Sequence, residues 1–191
     1  MTDAPITDPI RMRALAHPLR LRLMEVLAEL GEATATECAA RVDESVASCS
    51  FHLRQLAKYG FVEPAERRGR EKPWRRTSRA LTTRPDLAVP GSLDAAAELG
   101  RQQLLSTVRR AEAALARVGD EPAGWVDATT LRTHAVLATP AELVALAEAI
   151  DALVAPYADR RDDPASAPAD ARPAQVVTVM HADVPGEQGT A

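Results

Sequence analysis

The chain has 191 residues, 46% of them hydrophobic but only 3% aromatic, and a formal net charge of −4. Such a composition supports an aliphatic core in one large domain or two small ones. There is no run of ~18 apolar residues and no apolar leader near Met1, so neither a membrane span nor a signal peptide is predicted. The expected location is cytoplasmic, where Cys38 and Cys49 stay reduced.

The charge is unevenly spread. Residues 1–80 hold 14 Lys+Arg against 11 Asp+Glu, and residues 81–191 hold 9 against 16. Residues 45–80 alone hold 9 against 3. Positive charge gathered in one interval is the footprint of a phosphate-binding face, and the alternative is a solvated face with no partner.

Asp8-Pro9 predicts a helix start, with Asp capping and Pro suiting the first turn. The helix breaks at His17-Pro18 and resumes with an apolar stripe of Leu19, Leu23, Val26, Leu27 and Leu30, closed by Gly31. Thr34 and Glu37 form a capping box that opens a short helix over 35–42. Asp43, Glu44 and Ser45 make a turn, and Ser45 caps a second helix that stops at Gly60. In that helix Val46, Cys49, Leu53 and Leu56 are expected to face the core. Ala47, Ser48, Phe51, Arg54 and Lys58 take the opposite face, with Ser50 and Gln55 flanking. Phe61-Val62 begins a strand, Arg67-Arg68-Gly69-Arg70 forms a tip, and Pro73-Trp74-Arg75-Arg76-Thr77 returns.

Two helices joined by a tight turn and followed by a basic ribbon make a winged helix-turn-helix. Small polar residues at the start of the second helix would let the backbone approach base edges of double-stranded DNA. Arg54 and Lys58 lie further along, toward phosphates. The expected DNA-binding set is Ser45, Ala47, Ser48, Ser50, Phe51, Arg54, Gln55 and Lys58 on the helix, and Arg67, Arg68, Arg70, Lys72 and Arg75 on the wing.

The segments ALAHPLRLRLMEVL, ATECAARV, SCSFHLRQLAKYGFVE and RGREKPW resemble the arsenic-repressor (ArsR) class of bacterial winged helix regulators. The likeness spans residues 10–79. The alanine- and arginine-rich composition suggests an actinobacterial subgroup. The resemblance implies a dimeric DNA-binding regulator, usually a repressor released by a metal, a small molecule or a redox event. Two positions depart from it. Thr34 and Thr36 stand where metal-sensing members carry thiolates, and hydroxyls do not replace thiolates for a soft metal. Phe51 stands where many members carry Arg, and it can pack on a thymine methyl but not hydrogen-bond a base.

Other constellations are weaker. Cys38 and Cys49 lie on neighbouring helices and are read as small core residues rather than a redox pair. His52 is read as a structural histidine bonded to nearby backbone, and His17 as a cap. His134 and His181 fall in two candidate strands and give a weak metal signal. No phosphate loop, nucleophile elbow or HExxH motif occurs, so no catalytic residue, metal or cofactor is expected.

Residues 80–92 read as a linker with two prolines. A helix over roughly 93–118 carries a seam of Leu93, Ala97, Gly100, Leu104, Val108, Ala111, Leu115 and Val118, suited to another helix. Residues 120–130 read as a loop carrying Trp125. Thr139 and Glu142 box a helix running to about Tyr157, with a stripe of Leu143, Leu146, Ile150, Leu153 and Tyr157. Residues 131–138 and 174–181 read as strands, and 158–173 and 182–191 as flexible. Trp74, Trp125, Tyr157 and Met180 either line a small-molecule pocket or pack the dimer interface.

The expected fold is mainly α with small β. A winged helix-turn-helix domain occupies 1–85, and a helical dimerisation and effector domain with one or two short strands occupies 91–191. The expected function is that of a sequence-specific DNA-binding regulator, a homodimeric repressor, with no enzymatic activity. The alternative is a winged helix adaptor that binds proteins rather than DNA.

Overall fold

A computed structural model describes residues 5–67, 72–78, 81–160 and 164–183. The chain divides into two compact units, Met1–Thr129 and Thr130–Ala191. Among the described residues no helix is long and apolar enough to cross a membrane.

The first unit begins with α1 (Pro9–Leu15) and α2 (Pro18–Leu30). The Asp8 carboxylate accepts the Ile10 N–H at 2.8 Å, and His17 Nδ1 accepts the Leu19 N–H at 3.2 Å. Each helix is therefore capped by a side chain and started by a proline, as the sequence predicts. Gly31 ends α2 at φ 77, a left-handed conformation that suits glycine. Thr34 and Glu37 complete their capping box at α3 (Ala35–Val42), and Ser45 accepts the Ser48 N–H at 3.1 Å to open α4 (Val46–Lys58).

Strands β1 (Glu32–Ala33), β2 (Val62–Pro64) and β3 (Trp74–Arg76) form an antiparallel sheet in the order β1-β3-β2. The β2–β3 pair is the wing expected from the sequence. Strand β1 was not foreseen, because two residues carry no readable alternation.

Helix α2 is the centre of the core. Leu19, Leu21, Leu23, Met24, Val26 and Leu27 are all buried, because α2 packs against α3, α4, α5, β1 and β3. Burying one such side chain fully is worth roughly 1.5–3 kcal/mol. Two expected core positions depart from this. Leu30 is 38% and Val46 46% exposed. Each sits at a helix end, where the stripe runs past the neighbouring element that would cover it.

After the wing, α5 (Ser92–Leu115) packs on α1 and α2. Its buried residues are Ser92, Ala95, Leu99 and Ser106. The leucine seam expected from the sequence lies on the other side, with Leu93, Leu104, Val108 and Leu115 about half exposed. The lead-in to α5 is not a loose linker. Ile6 donates to the Thr82 carbonyl at 2.8 Å, and Arg84 donates to the Ile6 carbonyl at 3.1 Å, forming a short parallel bridge. A 3₁₀ turn at Val118–Asp120 and a short α6 (Ala123–Ala128) follow. The expected loop around Trp125 is thus partly helical. Pro122 stands at the cap of α6 with φ −56, which pre-sets the first turn.

In the second unit, α7 (Pro140–Asp159) opens on the Thr139–Glu142 capping box. A 3₁₀ turn spans Pro164–Ser166. Residues 131–138 and 174–181, expected as strands, are neither helix nor strand. A strand needs a ladder partner, and neither segment has one among the described residues. From residue 130 onward, none of the residues whose burial is described is buried. Residues 161–163 and 184–191, within the segments expected to be flexible, lie outside the described residues.

Candidate nucleic-acid interface

Helix α4 is held from behind and left open in front. Cys49, Leu53 and Leu56 are fully buried. At its exit, Phe61 donates to the Leu56 carbonyl at 3.0 Å, and Arg11 of α1 donates to the Tyr59 carbonyl at 3.1 Å while lying over the Phe61 ring. Gly60, at φ 74, makes the turn, and its carbonyl accepts the Thr77 hydroxyl at 2.7 Å. These contacts fix the helix end and the root of the wing to one another.

The outward face carries the residues expected there. Ser45, Ala47, Phe51, Arg54 and Lys58 are exposed, and Ser48, Ser50 and Gln55 are half-buried. Phe51 is 50% exposed and meets the His52 ring edge-on, with centroids 5.2 Å apart. Arg54 donates to the Ser50 hydroxyl at 2.7 Å, so these two side chains form one unit, a guanidinium held along the helix.

On the wing, Arg67 and Lys72 are exposed, whereas Arg68 and Arg70 lie outside the described residues. Arg75 pairs with Glu63, directly across from it, at 2.8 Å. Both side chains are about half exposed, and an exposed pair of this kind is worth ~1 kcal/mol or less. A phosphate can displace Glu63 at little cost.

Behind α4, His52 departs from the expectation of a backbone partner. Its Nδ1 accepts the Arg20 Nε–H at 3.3 Å, and its ring lies against His17 with centroids 4.5 Å apart. Arg20 and Arg11 are thus supports of α4 that the sequence reading missed. The available signal was an arginine inside a strongly apolar helix, where a charge survives only with partners.

Cys38 and Cys49 are both buried with no disulfide between them. Burial above all, then Cys49 and Glu37, pushes the Cys38 thiol up to about 12. Burial also raises that of Cys49, reinforced by Glu44 and opposed by Arg22. A thiol kept protonated is a poor nucleophile and a poor metal ligand.

The remaining candidates do not converge. His134 lies in an exposed segment, and His181 Nδ1 is 3.2 Å from the Ala182 carbonyl oxygen. Among the described residues no three His, Cys, Asp or Glu side chains could together hold a metal. Trp74 packs against the core of the first unit, Trp125 lies on α6, and Tyr157 stacks with Arg160 on the last turn of α7. A polar cleft of about 210 Å³ opens instead between α2, α3 and α5, lined by Arg22, Glu25, Glu29, Arg41, Arg109 and Arg110.

No curated protein matches the chain. The family model described as a helix-turn-helix domain matches residues 15–65, a stretch that runs from the end of α1 through α3 and α4 to the first wing strand. The chain thus carries a helix-turn-helix domain of the kind that DNA-binding transcription regulators use.

Proposed function

We propose that the protein is a cytoplasmic, homodimeric, sequence-specific transcription regulator of the ArsR-like, actinobacterial type, acting as a repressor that an effector of unassigned chemistry releases. The carrying observation is the outward face of α4, where Ser48, Ser50, Phe51, Arg54, Gln55 and Lys58 stand accessible beside a basic wing. Ser48, the Ser50–Arg54 unit and Phe51 would choose sequence, Phe51 through a thymine methyl. Ser45 and Ala47 allow close approach. Lys58, Arg67, Arg68, Arg70, Lys72 and Arg75 would meet phosphates. The half-exposed leucine seam of α5 supports a second copy as its cover, placing two α4 helices on half-sites about 10 bp apart or a multiple of it.

A gel shift on the DNA upstream of the protein's own gene tests this. Replacing Arg67, Arg68 and Arg70 by Ala should flatten the dependence of log affinity on log salt by up to ~3 units. An unchanged slope removes the wing from the interface. No shift at any salt favours the second reading, a winged helix adaptor that binds proteins through the acidic half of the chain.

A further inference from the structure

His17 and His52 meet ring to ring across the α2–α4 contact, 4.5 Å apart at 35°. On each ring Nδ1 already accepts a hydrogen bond from an N–H donor. His17 takes the Leu19 backbone N–H and so caps α2, while His52 takes the Arg20 Nε–H. Arg20 also donates to the Ala14 carbonyl. These bonds, with the His17–His52 ring contact, join the end of α1, the start of α2 and the middle of α4. Both acceptor nitrogens must be unprotonated for the bonds to them to exist, since an imidazolium offers only donors.

We propose that the His17–His52 pair is a proton-operated latch, which holds α4 against the start of α2 while both rings are neutral and opens when acid protonates them. A proton on either Nδ1 would point at an existing N–H. It would also set a cation against the other ring and against the Arg20 guanidinium. The charged and titratable groups acting on the pair are Arg20 of α2, Glu44 of the turn before α4, and Tyr59, which acts on Arg20. Of these only Glu44 favours a charged His52. Burial first, then Arg20, lowers the pKa of His17. Burial first, then His17 and Arg20, lowers that of His52 against the pull of Glu44. Because both folded values lie below the ordinary one, the stability from the latch is complete above about pH 6.5 and is lost as pH falls through the folded values.

The consequence for DNA rests on the reading of α4 given above, and its sign is diagnostic. A histidine merely near DNA gains positive charge in acid and strengthens binding to phosphate. The latch predicts weakening, because α4 loses its support.

The test compares the full chain with the double variant His17→Asn, His52→Gln, which keeps an acceptor at both positions but cannot titrate. Between pH 7.5 and 5.5 the thermal midpoint of the parent should fall by roughly 5 °C more than that of the variant. In the single variant His17→Asn, the imidazole NMR titration of His52 should move to higher pH, because the His17 cation no longer opposes it. A labelled duplex should leave the parent, but not the double variant, on acidification. Identical midpoint profiles, or a His52 titration indifferent to position 17, would overturn the latch. If neither protein holds duplex at pH 7.5, the DNA reading fails while the midpoint and titration measurements still decide the latch.

Discussion

The same signal, Thr-x-x-Glu, opens both α3 and α7, and in both the capping box is complete. Their fates differ. Helix α3 has 8 residues and buries Cys38, Ala39 and Val42. Helix α7 has 20 residues and buries none. A cap satisfies orphan backbone groups wherever the chain lies, so it fixes where a helix begins. Whether an apolar stripe is then covered depends on what else is within reach. For α3 that is α2, α4 and β1. For α7, with Leu153 72% and Leu146 46% exposed, the described residues of its own unit leave the stripe only partly covered.

Core truncation tests the contrast at its widest. Leu53→Ala and Leu23→Ala, both at fully buried positions, should each cost ~2–5 kcal/mol in denaturant unfolding. Leu153→Ala should change the same transition by less than ~0.5 kcal/mol. An equal loss at Leu153 would mean that the α7 stripe is covered in solution, and the contrast would close.

Cys38→Ser is the next largest. It buries a hydroxyl in place of a thiol and should cost on the order of 1–3 kcal/mol. The thiol also has a pH signature. Its folded pKa, about 12, lies above the unfolded value near 9. The stability from keeping it neutral is therefore full below about pH 9 and should fall as pH rises toward 12. Alkaline unfolding curves of the parent and the variant should diverge in that window.

The caps give the smallest and most direct comparison. Thr34→Ala should cost ~1 kcal/mol of the cooperative transition. Thr139→Ala should leave that transition in place and lower only the helical signal from α7, read by circular dichroism. Matching losses in the cooperative transition would show that the two units unfold together.

These differences follow the line between what was legible in the sequence and what was not. Local chemistry was legible. Asp8, His17, Thr34, Ser45 and Thr139 all cap as read, and α3 runs over the expected residues. The two sides of α4 were legible too, because a 3.6-residue period separates Cys49, Leu53 and Leu56 from Phe51, Arg54 and Lys58. Long-range pairing was not. Strand β1 exists only because Glu32 and Ala33 meet Arg75 and Trp74. The Arg20–His52 bond joins residues whose spacing carries no signal. Residues 131–138 and 174–181 have strand-like composition, but composition does not supply a neighbour.

The bridge between Ile6 and Thr83 has a practical side. It fastens the stretch ahead of α1 to the lead-in of α5, and the Ser92 hydroxyl at the start of α5 adds a contact to the Thr7 carbonyl at 3.4 Å. A peptide tag joined upstream of Ile6 is therefore no bystander, since it is attached beside the segment bonded to the lead-in and first residue of α5. Measurements of oligomeric state made with a tag at that end should be repeated with the tag moved to the opposite end or cleaved away.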